Sequence, residues 1–171
     1  YVVIIALFFM GCSSLQQNKG DRHQVPVRGV SLKAPTGDVA SFVKFVDQEL
    51  APRGINLLML RVNYAYEWKS HPEIIPNHYL TRADVEKIKS VCEKHDIQLI
   101  PGINCMGHQS WGTGYGPLLK AYPEFEEDPG KKDEREDFYC RSYCPSHPEV
   151  HEVLFDLFDE AIEVFDAKAL H

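Results

Sequence analysis

Apolar and polar positions alternate in blocks along the chain, and each block predicts one element. Val27 to Leu32 (VRGVSL) reads as a short strand, ended by Ala34-Pro35-Thr36-Gly37. Phe42, Val43, Phe45, Val46 and Leu50 then recur at helical spacing, and Pro52 with Gly54 closes that helix. Ile55 to Val62 (INLLMLRV) is a continuous apolar run, the pattern of a strand covered on both faces. After a loop over 63–80, Thr81 and Asp84 supply an N-cap and an N3 acid, opening a helix through Val85, Ile88, Val91 and Cys92. Ile97 to Ile103 is a third buried strand. The stretch 104–148 has no period and exceeds the usual connector length, which marks it as a functional or inserted region. Pro148 falls at a first helical position, and Val150, Val153, Leu154, Leu157, Phe158, Ile162 and Phe165 form the apolar stripe of a last helix. Lys168 to His171 opens a fourth strand.

Buried strands alternating with helices predict an α/β fold, a parallel sheet covered by helices, either doubly wound or a (β/α)8 barrel. No Gly-rich phosphate loop follows the first strand, and Arg28 to Lys33 has none of the glycine spacing that cradles a dinucleotide phosphate. No cofactor is implied. A TIM barrel takes about 250 residues for eight strands. Four strands over 27–171 therefore read as the N-terminal half of such a barrel, truncated after about the fourth strand, with an open sheet edge that favours self-association. In either architecture ligands lie beyond the C-terminal ends of the strands, at 63–68 and 104–111. The second of these is the richer, with Asn104, His108, Gln109 and Trp111 offering two amides, an imidazole and an indole.

The start of the chain belongs to another category. Tyr1 to Met10 is almost wholly apolar but far shorter than the roughly 20 residues of a membrane-spanning helix, so 1–12 matches the core of a secretory signal. Phe9-Met10-Gly11-Cys12 resembles a bacterial lipobox, which makes Cys12 the expected lipidation site and the cell envelope the expected location. An ordinary signal would instead give a periplasmic or secreted protein. Residues 13–26 are polar and aperiodic, a tether before the folded region.

Composition narrows the classes further. With 44% hydrophobic and 25% charged residues the chain can build a core, which excludes a collagenous or wholly disordered protein. The net charge of -7, without a local basic patch, argues against nucleic acid as a partner. The mixed-sign run 124–137 reads as a solvated excursion. Cys92 falls on an apolar helical stripe and reads as core. Cys140 and Cys144 are open to three readings: free thiols, a disulfide in an exported protein, or zinc ligands with His147 and His151.

The ordered set Arg28-Gly29, Asn56, Pro101 with Gly107-His108, and Ala169-Leu170-His171 resembles the catalytic domain of glycoside hydrolase family 20, the β-N-acetylhexosaminidases. In that family a fourth strand ends in His-x-Gly-x-Asp-Glu. Gly102, Asn104 and Met106 replace acids and a proline typical of the family, and Asn63-Tyr64 stands where an Asp is usual, a pattern similar to the divergent hexosaminidase D-like branch. The resemblance implies an amino-sugar glycan as partner and substrate-assisted retaining hydrolysis, in which the sugar's acetamido oxygen attacks the anomeric carbon. It also implies that the Asp-Glu pair lies just beyond His171, so that no carboxylate within the chain is catalytic and these 171 residues alone are inactive. Arg28 would hold sugar hydroxyls, His108 would lie beside the reacting sugar, and Trp111 and Tyr64, with Tyr66 and Trp68, would supply aromatic walls. A carbohydrate-binding relative without catalysis, and a zinc-dependent hydrolase built on the Cys/His cluster, are the alternatives.

Overall fold

The computed structural model describes residues 26–105, 107–110, 114–129 and 140–171. Three parallel strands, β1 (Gly29–Lys33), β2 (Leu57–Arg61) and β3 (Gln98–Gly102), pair in the order β1-β2-β3. Register sets Lys33 beside Arg61, and Arg61 beside Gly102. Strand order follows chain order without reversal, so right-handed crossovers bring successive helices to the same face, as in a barrel wall.

Helix α1 (Val39–Phe45) starts at Asp38, whose carboxylate accepts from the Ser41 amide (2.9 Å). The helix widens into a π turn over Val46–Leu50 and tightens into a 3-10 turn over Ala51–Arg53. Gly54 then stops it in the left-handed region (φ 72°), where a Cβ is disfavoured. Helix α2 (Arg82–Lys94) opens with the expected capping box: the Asp84 amide donates to Thr81, and the Asp84 side chain accepts from the Thr81 amide. Val85, Ile88, Val91 and Cys92 form its buried stripe.

Leu58 and Leu60 are fully buried in one core with Val46, Ile88 and Leu157. The opposite face of β2, Leu57 and Met59, is only half-buried and ends in exposed Arg61. The expected coverage of both faces therefore holds for one face among the described residues.

The region 104–148 is less irregular than its sequence indicates. It holds α3 (Pro117–Ala121), a 3-10 turn over Pro123–Phe125, and an antiparallel bridge between Glu126 and Tyr143. The last helix, α4 (Val150–Phe165), begins after Glu149, not at Pro148. A turn in which the His147 amide donates to the Cys144 carbonyl (3.0 Å) precedes Pro148. Its buried stripe includes Ala161 and Val164, whereas Ile162 faces outward, one position from the expected face. Beyond α4, His171 lies beside β3. Its amide donates to the Pro101 carbonyl (3.0 Å) and its carbonyl accepts from the Ile103 amide (2.8 Å), the two bonds of a parallel ladder around Gly102.

The expected signal, Cys12 and the expected tether up to Val25 lie outside the described residues. Among the described residues no helix is long and apolar enough to cross a membrane.

Candidate functional site

The C-terminal ends of β1, β2 and β3 surround a cleft of about 350 Å³ whose lining includes Lys33, Arg61, Asn63, Tyr64, His108 and Gln109. Asn63 turns the chain out of β2 in the left-handed region (φ 51°), a conformation Asn tolerates better than most residues. Its amide donates to the Gly102 carbonyl (2.8 Å), and its Oδ1 accepts from the Asn104 amide (3.2 Å). One side chain thus fixes the exit of β2 against the exit of β3.

The loop after β3 is held by amides. Asn104 Nδ2 donates to the His108 carbonyl (3.2 Å), closing a turn in which His108 also has positive φ (52°). Gln109 is almost wholly buried; its Nε2 donates to the Asn104 carbonyl (3.0 Å) and its Oε1 accepts from the Tyr64 hydroxyl (2.7 Å). Burial holds the Tyr64 phenol well above its ordinary pKa. Tyr64 is therefore a neutral donor, not a base.

A second layer anchors this loop from outside. The Gln109 amide donates to the Arg141 carbonyl (2.8 Å), and the Arg141 amide donates to Ser110 Oγ (2.8 Å). The Arg141 guanidinium pairs with buried Glu126 and lies 4.5 Å from the Tyr115 ring centroid, while the Tyr115 hydroxyl donates to Glu126 (2.8 Å). The Tyr143 hydroxyl donates to the Cys105 carbonyl. Gly116 approaches so closely that a Cβ there would stand 1.8 Å from the Gln109 oxygen. Only glycine fits that contact.

The expected site residues separate under this geometry. Tyr64 and His108 meet in the cleft. Arg28 does not join them: it precedes β1 at the opposite end of the sheet, exposed, with its amide donating to Asn56 Oδ1 (2.8 Å) and its guanidinium beside Gly54. Tyr66 and Trp68 are core residues, in edge-to-face contact at 5.1 Å, and Trp68 Nε1 donates to the Tyr64 carbonyl (2.9 Å). They form no wall of the cleft. Trp111 lies outside the described residues.

Cys92, Cys105, Cys140 and Cys144 are free thiols in the structure. Among the described residues no three His, Cys, Asp or Glu side chains converge as a metal site requires. His147 instead packs on the Phe125 ring (4.7 Å between centroids) and His151 on Phe155 (6.2 Å).

Residues 58–171 match the family model of the glycosyl hydrolase family 20 catalytic domain. The chain belongs to that family. The family's catalytic domain is a TIM barrel, consistent with the unreversed parallel sheet and the cleft at its C-terminal edge. Among solved structures, a Flavobacterium johnsoniae chitobiase superposes with a TM-score of 0.67 at 26% identity, covering 85% of this chain and 23% of that one. A Bacteroides fragilis beta-N-acetylhexosaminidase gives 0.65 at 16% identity, covering 85% and 31%. A mutant Streptomyces plicatus beta-hexosaminidase in complex with product (GlcNAc) gives 0.60 at 17% identity, covering 85% and 32%. The chain thus spans roughly a quarter to a third of these proteins' length. No curated protein matches it. The family match begins within β2, so Lys33 and the rest of β1 lie outside it.

Proposed function

We propose that the protein is an exported glycoside hydrolase that removes terminal N-acetylhexosamine from glycans by substrate-assisted, retaining catalysis. The acetamido carbonyl oxygen attacks the anomeric carbon as the glycosidic C–O bond breaks. A glutamic acid gives its proton to the leaving oxygen, then as carboxylate takes one from the water that opens the cyclic intermediate. An adjacent aspartate orients the acetamido group. Both carboxyls are assigned to residues following His171.

The observation that carries this reading is the pairing of His171 with β3. A strand continuing from it would reach the cleft edge beside the loop of His108 and Gln109, where barrel enzymes keep their chemistry. Tyr64 and Gln109, bonded to each other, hold in this reading the loop that sets His108 beside the reacting sugar. Cys12 is the proposed acyl attachment point.

A carbohydrate-binding relative without catalysis is the second reading, since a fold does not by itself establish activity. Incubation of the full-length protein with an aryl N-acetyl-β-glucosaminide separates the two. Release of the aryl alcohol supports the hydrolase; saturable binding of N-acetylglucosamine without release supports the binding module. The 171-residue chain alone is expected to show no turnover.

A further inference from the structure

Two cations stand side by side at the head of the sheet. Lys33 and Arg61 are register partners at the ends of β1 and β2, both exposed, and both line the cleft. Strand alternation puts Arg61 on the face of Leu57 and Met59, away from buried Leu58 and Leu60. Like charges on paired strands repel, so the sheet itself gains nothing from this placement. Neither side chain makes an ion pair among the described residues.

The surrounding charge sharpens the contrast. The chain carries 25 acidic and 18 basic residues, yet the described lining of the cleft has Lys33, Arg61 and His108 and no carboxylate. The remaining polar lining is neutral, with Asn63, Asn104 and Gln109. An Arg fork beside a Lys point charge suits a compact oxyanion, which takes two hydrogen bonds from one and a Coulombic contact from the other.

We propose that Lys33 and Arg61 form an anion subsite of the cleft, selecting amino sugars that carry a sulfate or carboxylate substituent. The inference deepens, and rests on, the amino-sugar reading above. Calorimetric titration of the full-length protein tests it with N-acetylglucosamine, its 6-sulfate, N-acetylmuramic acid as the carboxylate form, and glucose 6-sulfate. At least one charged amino sugar is expected to bind about tenfold or more tighter than the neutral one, since charged hydrogen bonds are each worth about that factor. The advantage shrinks as sodium chloride is raised.

Lys33→Gln and Arg61→Gln are each expected to collapse the ratio of charged to neutral affinity. Both variants should unfold at or above the wild-type temperature, because each removes one of two like charges on paired positions. Equal wild-type affinities, no binding of the charged sugars, or variants that weaken every ligand by the same factor would overturn the subsite. So would a fall of unfolding temperature in both variants with the ratio intact, which would assign the cations to internal carboxylates. Glucose 6-sulfate binding as tightly as N-acetylglucosamine 6-sulfate would leave the anion subsite standing and reject the amino-sugar reading.

Discussion

Two tyrosines, two positions apart in the loop after β2, make opposite predictions for the same chemical change. Tyr64 and Tyr66 are both buried, at 5% and 0% exposure, and Phe substitution removes one hydroxyl from each. The Tyr64 hydroxyl donates to Gln109 Oε1 at 2.7 Å, and Gln109 is itself 3% exposed. Tyr64→Phe therefore strands a buried acceptor that water cannot reach, at a cost of about 1–3 kcal/mol. The Tyr66 hydroxyl has no hydrogen-bond partner among the described residues. Tyr66→Phe removes a desolvated polar group that gains nothing from the fold, and is expected to be neutral or stabilising by up to about 1 kcal/mol.

Urea unfolding of the two variants and the wild type in one buffer reads the difference directly. Tyr64→Phe should fall below Tyr66→Phe by at least about 1 kcal/mol. In a double-mutant cycle with Gln109→Met, the second substitution should cost less in the Tyr64→Phe background than in the wild type, because the Tyr64–Gln109 bond is already lost there, although Gln109→Met also removes the donor to the Asn104 carbonyl. Equal losses for both tyrosines, or strict additivity in the cycle, would refute the hydrogen-bond assignment. Burial also pushes the Tyr66 phenol up to about 12, so alkaline absorbance titration of the folded protein should show it ionising well above an ordinary tyrosine.

Three further outcomes follow from the geometry. Glu126→Gln removes a buried charge that pairs with the nearly buried Arg141 guanidinium and should cost about 3–5 kcal/mol, read as a lower urea midpoint; an unchanged midpoint would contradict the anchoring role. Gly116→Ala forces a Cβ against the Gln109 backbone and should lose about 1–3 kcal/mol and weaken sugar binding, since backbone atoms cannot rotate away. Hydrogen bonds hold the Asp47 and Asp84 carboxyls below the ordinary carboxylate range, chiefly from His95 and Lys87 respectively. Their folded-state values lie under the unfolded ones, so their contribution is complete above about pH 4 and lost as pH falls through the folded values. Asp84→Asn should flatten that acid limb, and an unaltered limb would show that the capping box does not titrate with unfolding.

The periodic parts of the chain announced themselves, and the aperiodic parts did not. The capping box at Thr81 and Asp84, the Gly54 stop and the three strands follow from local rules of spacing and backbone preference, and each stands within a residue or two of its expected place. The side chains that build the cleft obey no local rule. Gln109 meets Tyr64 across 45 positions, and Arg141 meets Ser110 across 31, through segments without apolar period. Tyr66 and Trp68 looked like exposed sugar platforms because a loop sequence carries no sign of which side faces the core. A motif match names Arg28 as a sugar contact without telling which end of the sheet faces the cleft, and the structure sets Arg28 at the opposite end. Nothing local in the sequence links Lys33 with Arg61, and only register shows that they are neighbours.

The most direct test concerns the nucleophile. The full-length protein should be assayed with an aryl 2-acetamido-2-deoxy-β-glucoside and with its trifluoroacetamido analogue, whose carbonyl oxygen is a much poorer nucleophile. Substrate-assisted catalysis predicts turnover of the first and a drop of about tenfold or more for the second, because the attacking oxygen takes part in the rate-limiting barrier. Equal rates for the two substrates, or turnover of the plain β-glucoside at the same rate, would contradict it.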